Sequence, residues 1–192
     1  PRVATVVRTG IPRAVSSPLQ RCLETAALAL SGHDVVADPR LGECHYGAWT
    51  GRPLRDAATE DLWRVVQDDP GAATFPHHDH FAAESLAEMA YRVIGAIRAL
   101  DAEVEAEHGE DAVWVAVRHG DPIKAVVAEA VGAGLAGLQR VRVDPGSITA
   151  VHLTANRMVL LASNTLDGDL RPLVARPQHA PAGDSEVGGG AG

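Results

Sequence analysis

The sequence of 192 residues carries 17 basic and 25 acidic side chains, for a net charge of −8. This balance argues against a nucleic acid or an anionic membrane surface as the main partner. The two cysteines, Cys22 and Cys44, exclude a disulfide framework and a zinc site made only of cysteines, so a reducing, cytoplasmic setting is expected. No apolar run approaches the ~18 residues that a membrane span requires.

Short apolar runs alternate with stretches of helical periodicity along the chain. In chain order, we predict strands over residues 3–7 and 13–16, a helix over 17–30, a strand over 35–37, helices over 53–67 and 84–107, a buried central strand over 113–117, a helix over 121–131, and a β pair over 148–153 and 158–162. This order predicts an α/β fold, a three-layer sandwich in which helices flank a mostly parallel sheet. Ligands of such sheets bind beyond the carboxyl ends of the strands.

The start of the first helix carries a capping pattern. Ser17 suits the N-cap, Pro18 the first helical position, and Gln20 completes a capping box. An apolar stripe for the core follows at helical spacing, made of Leu19, Leu23, Ala26, Ala27 and Leu30.

Arg118, His119 and Gly120 lie between the apolar run 113–117 and a helix start. A helix N-terminus favours an anion, Arg118 adds positive charge, and Gly120 permits close approach of the backbone. His119 is therefore a candidate catalytic residue. The alternative is a histidine that only satisfies local hydrogen bonds.

Arg21 and Glu43 are further candidates. Arg21 is expected in the second turn of a helix, near its positive end, where a bound phosphate would offset an unfavourable interaction with the helix dipole. Glu43 lies in a glycine-punctuated loop, residues 41–51, and a carboxylic acid with a raised pKa there could protonate a leaving alcohol. The alternatives are a solvated arginine and a surface glutamate.

Three histidines, His77, His78 and His80, could be read as a metal site. No second cluster of ligands accompanies them, and neighbouring residues rarely all face one ion. A solvated loop is the preferred interpretation.

Three segments together resemble the histidine phosphatase superfamily, which includes the cofactor-dependent phosphoglycerate mutases. They are Ser-Ser-Pro-Leu-Gln-Arg at residues 16–21, Glu-Cys-His-Tyr-Gly at 43–47 and Arg-His-Gly at 118–120. The resemblance covers roughly residues 1–174, which we expect to form one domain, and the glycine-rich segment 175–192 is expected to be a disordered tail.

The resemblance implies an α/β fold and transfer of a phosphoryl group to a histidine, without a metal or other cofactor. By motif position, Arg8 and Arg21 resemble the two arginines that clamp the phosphate. Glu43 resembles the proton donor, and His119 resembles the second histidine, which stabilises the phosphoryl group.

The first motif departs from the family pattern. The family has Arg-His-Gly there, whereas this chain has Arg8, Thr9 and Gly10, and the Ser-Ser-Pro segment follows almost at once instead of several tens of residues later. Thr9 is a poor replacement, because an unactivated hydroxyl is a weak nucleophile at neutral pH. Reading residues 118–120 as the nucleophile motif instead would contradict the family's order of motifs.

The expected function is that of a phosphomonoesterase or phosphomutase-like protein acting on small phosphorylated metabolites, with phosphatase favoured over mutase. The alternative is an inactive relative that still binds phosphate through Arg8, Arg21 and His119.

Overall fold

The structure is a computed structural model that describes residues 10–165. Its main sheet consists of three parallel strands. Strand β1 (Ala14–Ser16) pairs on one side with β2 (Val35–Ala37) and on the other with β3 (Val115–Val117). The α/β class and the parallel sheet are therefore confirmed. The strand predicted over residues 3–7 and the tail predicted from residue 175 lie outside the described residues.

The apolar run predicted as a buried central strand forms β3, which is half-buried and pairs with β1. Its central position in the sheet stays a prediction, because the strand predicted over residues 3–7 lies outside the described residues. The packing of its two faces accounts for the apolar run. Val115 and Val117 pack on one face of the sheet, whereas Trp114 and Ala116 pack on the other. Both faces are covered, so the run is apolar throughout.

Helix α1 (Gln20–Ala29) covers one face of the sheet, but it begins three residues later than predicted. Ser17 does not cap it, because the N-cap position belongs to Leu19 and no side chain caps the helix. The buried stripe is Cys22, Ala26 and Leu30. Leu19 and Leu23 of the predicted stripe are exposed, and so is Ala27.

The helix predicted over residues 53–67 is divided into α2 (Leu54–Ala57) and α3 (Asp61–Asp68). Glu60 interrupts it with an extended backbone. Its carboxylate accepts a hydrogen bond from Trp49 Nε1 at 2.8 Å and pairs with Arg52 at 2.6 Å. These two contacts favour the extended backbone of Glu60 over a helical one, so the helix does not continue through this residue.

Helix α4 (Leu86–His108) lies on the other side of the sheet, close to its predicted bounds. Ser85 caps it in a complete capping box with Glu88. Its inward face contributes to the main core, together with Val15 of β1, and its buried residues are Leu86, Met89, Ala90, Val93, Ala96, Ile97, Leu100 and Val104.

Helix α5 (Gly120–Ala130) follows β3 and packs against α4. The predicted β pair is confirmed as an antiparallel hairpin of β4 (Ile148–Leu153) and β5 (Met158–Thr165). With α1 on one face of the parallel sheet and α4 and α5 on the other, the predicted three-layer arrangement is confirmed. No helix within residues 10–165 is both long and apolar enough to cross a bilayer.

Candidate active site

The carboxyl ends of β1 and β3 meet at one edge of the sheet, and the residues that follow these strands come together there. Ser17 continues the β1 ladder, since its N–H donates to Val117 O at 2.9 Å. His119 occupies the N-cap position of α5. The Nε2 atom of its imidazole lies 2.7 Å from Ser17 Oγ.

The hydrogen bonds of His119 define its protonation state. Arg21 Nε donates to Nδ1 of the ring at 3.1 Å, so Nε2 carries the proton and donates to Ser17 Oγ. Burial, together with the charges of Arg21 and Arg118, lowers the pKa of His119 to about 4. The imidazole is therefore neutral at neutral pH.

Glu43 reaches the same place from the loop that follows β2. Its Oε2 lies 3.8 Å from both His119 Nδ1 and Arg21 NH2, and its Oε1 accepts a hydrogen bond from Cys44 N at 3.1 Å. Burial raises the pKa of Glu43 to about 7 against the lowering effect of that hydrogen bond, and Asp121 raises it as well. Both the acid and the carboxylate are thus populated near neutral pH.

Arg118 is a buried cation beside this cluster. Its three side-chain nitrogens are buried and have no hydrogen-bond partner within the described part of the chain. Burial lowers the pKa of Arg118 to about 9, with Arg92 contributing, so the guanidinium is still charged at neutral pH. An unpaired buried charge is unfavourable, which indicates that this side of the cluster suits an anion.

The structure brings together three of the five predicted site residues: His119, Glu43 and Arg21. Arg21 lies in the first turn of α1 rather than the second, because that helix starts later than predicted. Gly120 begins α5 with open space where a Cβ would project, so protein packing does not require a glycine there. Arg8 lies outside the described residues.

Sequence reasoning missed the partners of His119. Ser17 was interpreted as a helix cap, although its position directly after a strand is a usable signal. Cys22 packs its Sγ atom 3.4 Å from His119 Nε2, because it lies on the buried stripe of α1. A third missed feature is Asp121, which accepts hydrogen bonds from Tyr46 Oη at 2.8 Å and Lys124 Nζ at 3.0 Å.

The histidine-rich loop shows no metal-site geometry. His77 is exposed and pairs with Asp79 at 3.5 Å, while the His78 ring lies 4.9 Å from that of Phe81. Across residues 10–165, no group of three or more His, Cys, Asp or Glu side chains is arranged to hold a metal ion.

The fold and the cluster of Arg21, Glu43 and His119 fit a phosphate-processing α/β domain. The sequence profile of the histidine phosphatase superfamily, branch 1, matches residues 2–166, and the chain belongs to this superfamily. The family resemblance found in the three motifs is therefore confirmed.

Two curated relatives and one solved structure illustrate the relationship. A bifunctional protein of Mycobacterium tuberculosis is 35% identical over 157 residues, which cover 78% of this chain and 39% of that protein. Phosphoserine phosphatase 1 of Hydrogenobacter thermophilus is 29% identical over 155 residues, covering 78% of this chain and 68% of that protein. A mycobacterial glucosyl-3-phosphoglycerate phosphatase, solved with inorganic phosphate, is 28% identical with a TM-score of 0.65, covering 85% of this chain and 82% of that one.

The chain spans 39% of the length of the mycobacterial relatives that it matches in sequence. Two of the proteins that it resembles are named as phosphatases.

Proposed function

We propose that the chain is a cytoplasmic, metal-independent phosphohydrolase domain that removes the phosphoryl group from phosphate monoesters of small metabolites. The observation that carries the proposal is the convergence of Arg21, His119 and Glu43 where the carboxyl ends of β1 and β3 meet. A phosphate monoester needs positive charge for its oxygens and a proton for its leaving oxygen. This cluster supplies both.

Arg21 is the main phosphate ligand in this proposal. Its Nε is used by His119, but its side chain is 62% exposed, so its terminal nitrogens are accessible to a ligand. A guanidinium binds phosphate through paired, charge-assisted hydrogen bonds. Arg118 and the N–H groups at the start of α5, beginning with Gly120, add positive potential, and Arg8 is the second proposed clamp.

Glu43 is the proposed proton donor to the leaving oxygen. A carboxyl with a pKa of about 7 holds its proton over much of the neutral range and releases it readily. Burial beside the neutral His119 keeps the acid form populated. The relatives named as phosphoserine and glucosyl-3-phosphoglycerate phosphatases favour substrates of the same kind, small alkyl phosphates that need such a proton.

The nucleophile separates the two candidate functions. In intact family members a histidine of the first motif accepts the phosphoryl group and passes it to water, but this chain has Thr9 at that motif position. That substitution favours a second candidate, a relative that binds phosphate without turnover. His119 is a weaker candidate nucleophile, because Arg21 and Ser17 occupy both of its ring nitrogens.

The test is hydrolysis of p-nitrophenyl phosphate by the full chain in excess EDTA, beside Thr9→His and His119→Ala. Turnover that resists EDTA and disappears in His119→Ala supports the phosphohydrolase, and a gain in Thr9→His assigns the nucleophile position. If the full chain and Thr9→His are both folded and bind vanadate but show no turnover, the result supports the phosphate-binding relative. Turnover that EDTA abolishes would contradict both.

A further inference from the structure

One arginine of α4 holds the backbone on the N-terminal side of Glu43. The guanidinium of Arg92 donates hydrogen bonds to three carbonyl oxygens of this loop: Arg40 O at 2.9 Å, Gly42 O at 3.2 Å and Glu43 O at 3.2 Å. The side chain is largely buried. A single rigid, planar group thus fixes the segment that leads into Glu43.

Glu84 holds the C-terminal side of the same residue. Its carboxylate forms a two-point pair with Arg92, at 2.5 Å to NH2 and 3.2 Å to Nε. The same carboxylate accepts a hydrogen bond from His45 N at 3.0 Å, and Glu84 N donates to His45 O at 3.0 Å. The Arg92–Glu84 pair therefore holds the loop on both sides of Glu43.

We propose that Arg92 and Glu84 are positioning residues that hold the Glu43 carboxyl at its buried place beside His119. The pair bonds the backbone around Glu43, while the Glu43 side chain contacts Arg21 and His119 instead. The role in catalysis rests on the proposed function, in which Glu43 protonates the leaving oxygen. Holding the loop keeps that carboxyl out of water, and burial is the main cause of its raised pKa.

When Arg92 is replaced, the direction in which the Glu43 pKa changes shows whether the loop has loosened. The titratable and charged groups around Glu43 are Arg21 and Cys22 on α1, Asp121 on α5, Arg118 and His119 after β3, Cys44 and Tyr46 on its own loop, Arg92 on α4, and Glu84 just before α4. Removing a positive charge such as Arg92 raises a nearby carboxyl pKa if the loop stays in place. Loosening the loop lowers the Glu43 pKa, because the carboxyl then reaches water.

The experiment is a titration of the full chain with ¹³C-carboxyl-labelled glutamate, followed by NMR. Glu43→Gln assigns the Glu43 signal. We expect Arg92→Met to lower the Glu43 pKa by about one unit or more, and Arg92→Lys to lower it less. Arg98→Met is the matched control on the same helix. Arg98 pairs with Glu129 of α5 at 3.9 Å and not with the Glu43 loop, so this variant should leave the Glu43 pKa unchanged.

A Glu43 pKa that stays constant or rises in folded Arg92→Met would overturn the proposal. If that variant does not fold, Arg92→Gln, which also removes the positive charge, decides in the same way. This readout needs no turnover, so it is separable from the proposed function. Loss of the acid role would appear instead as Glu43→Gln hydrolysing alkyl and p-nitrophenyl phosphates with unchanged relative rates.

Discussion

His119 Nε2 donates to Ser17 Oγ over 2.7 Å, and this bond joins the ends of two neighbouring strands at the candidate active site. The two residues are 102 positions apart in the chain. Because Nδ1 accepts from Arg21, the ring is held in one tautomer and one orientation. The arrangement leaves His119 a neutral group between a hydroxyl and a guanidinium.

Replacing Ser17 by Ala removes the acceptor for a buried N–H group. His119 is 5% exposed, so water does not readily take the place of the hydroxyl. We expect the free energy of unfolding in urea to fall by about 1–3 kcal/mol. Ser31→Ala, at an exposed turn, is the control and should be neutral. Equal stability of the two variants would show that the Ser17 bond is unimportant.

Arg21→Lys keeps the positive charge and loses the planar fork. We expect vanadate or phosphate to bind about tenfold more weakly, which corresponds to the loss of one charge-assisted hydrogen bond of about 1.5 kcal/mol. Isothermal titration calorimetry measures this, with the exposed Arg55→Lys as control. Unchanged affinity in Arg21→Lys would remove this residue from the phosphate site.

Arg118→Met removes a buried charge that has no partner within residues 10–165. Without phosphate, we expect the free energy of unfolding to rise by about 1 kcal/mol or more. The increase in melting temperature on adding phosphate should become smaller, because the bound anion loses a nearby cation. A less stable variant with an unchanged response to phosphate would indicate a structural role for Arg118.

Glu43 makes stability depend on pH. Its pKa is raised from 4.5 to about 7 on folding, so between these values the folded protein binds more protons than the unfolded chain. The Glu43 contribution to stability is therefore present below pH 4.5 and is lost as the pH rises towards 7, by about 3 kcal/mol at most. Urea titrations of the wild type and Glu43→Gln across this range isolate the effect. A constant difference between the two proteins would contradict it.

Glu43→Gln also tests the proton donor through the leaving group. An alkyl alcohol needs a proton in the transition state, whereas p-nitrophenolate leaves without one. We expect alkyl phosphate hydrolysis to slow by about 10²-fold or more and p-nitrophenyl phosphate hydrolysis to slow far less. The measurement is the steady-state rate of the wild type and of Glu43→Gln on both substrates at pH 6. Equal slowing on the two substrates would show that Glu43 is not the proton donor.

Local patterns predicted the parts of the fold that local physics controls. Helix α4 was predicted within two residues because its apolar residues recur at helical spacing over its whole length, and the structure adds a capping box at its start. The strands of the parallel sheet were recognisable as short β-branched or apolar runs. Predictions failed where a residue outside the predicted element competes with local propensity. Glu60 interrupts a helix because Trp49 and Arg52 hold its carboxylate, and Ser17 binds His119 instead of capping α1.

The sequence by itself determined the family, through three motifs in order, and the residue types at the candidate site. It also showed the threonine in the first motif. Only the tertiary structure decided the chemistry of those residues. Parallel strands bring residues from three separate segments to one edge of the sheet. Burial there raises the pKa of Glu43 and lowers that of His119. The buried side-chain nitrogens of Arg118 have no hydrogen-bond partner among residues 10–165. Protonation depends on burial and on neighbouring charge, and both arise from contacts between residues that are far apart in the chain.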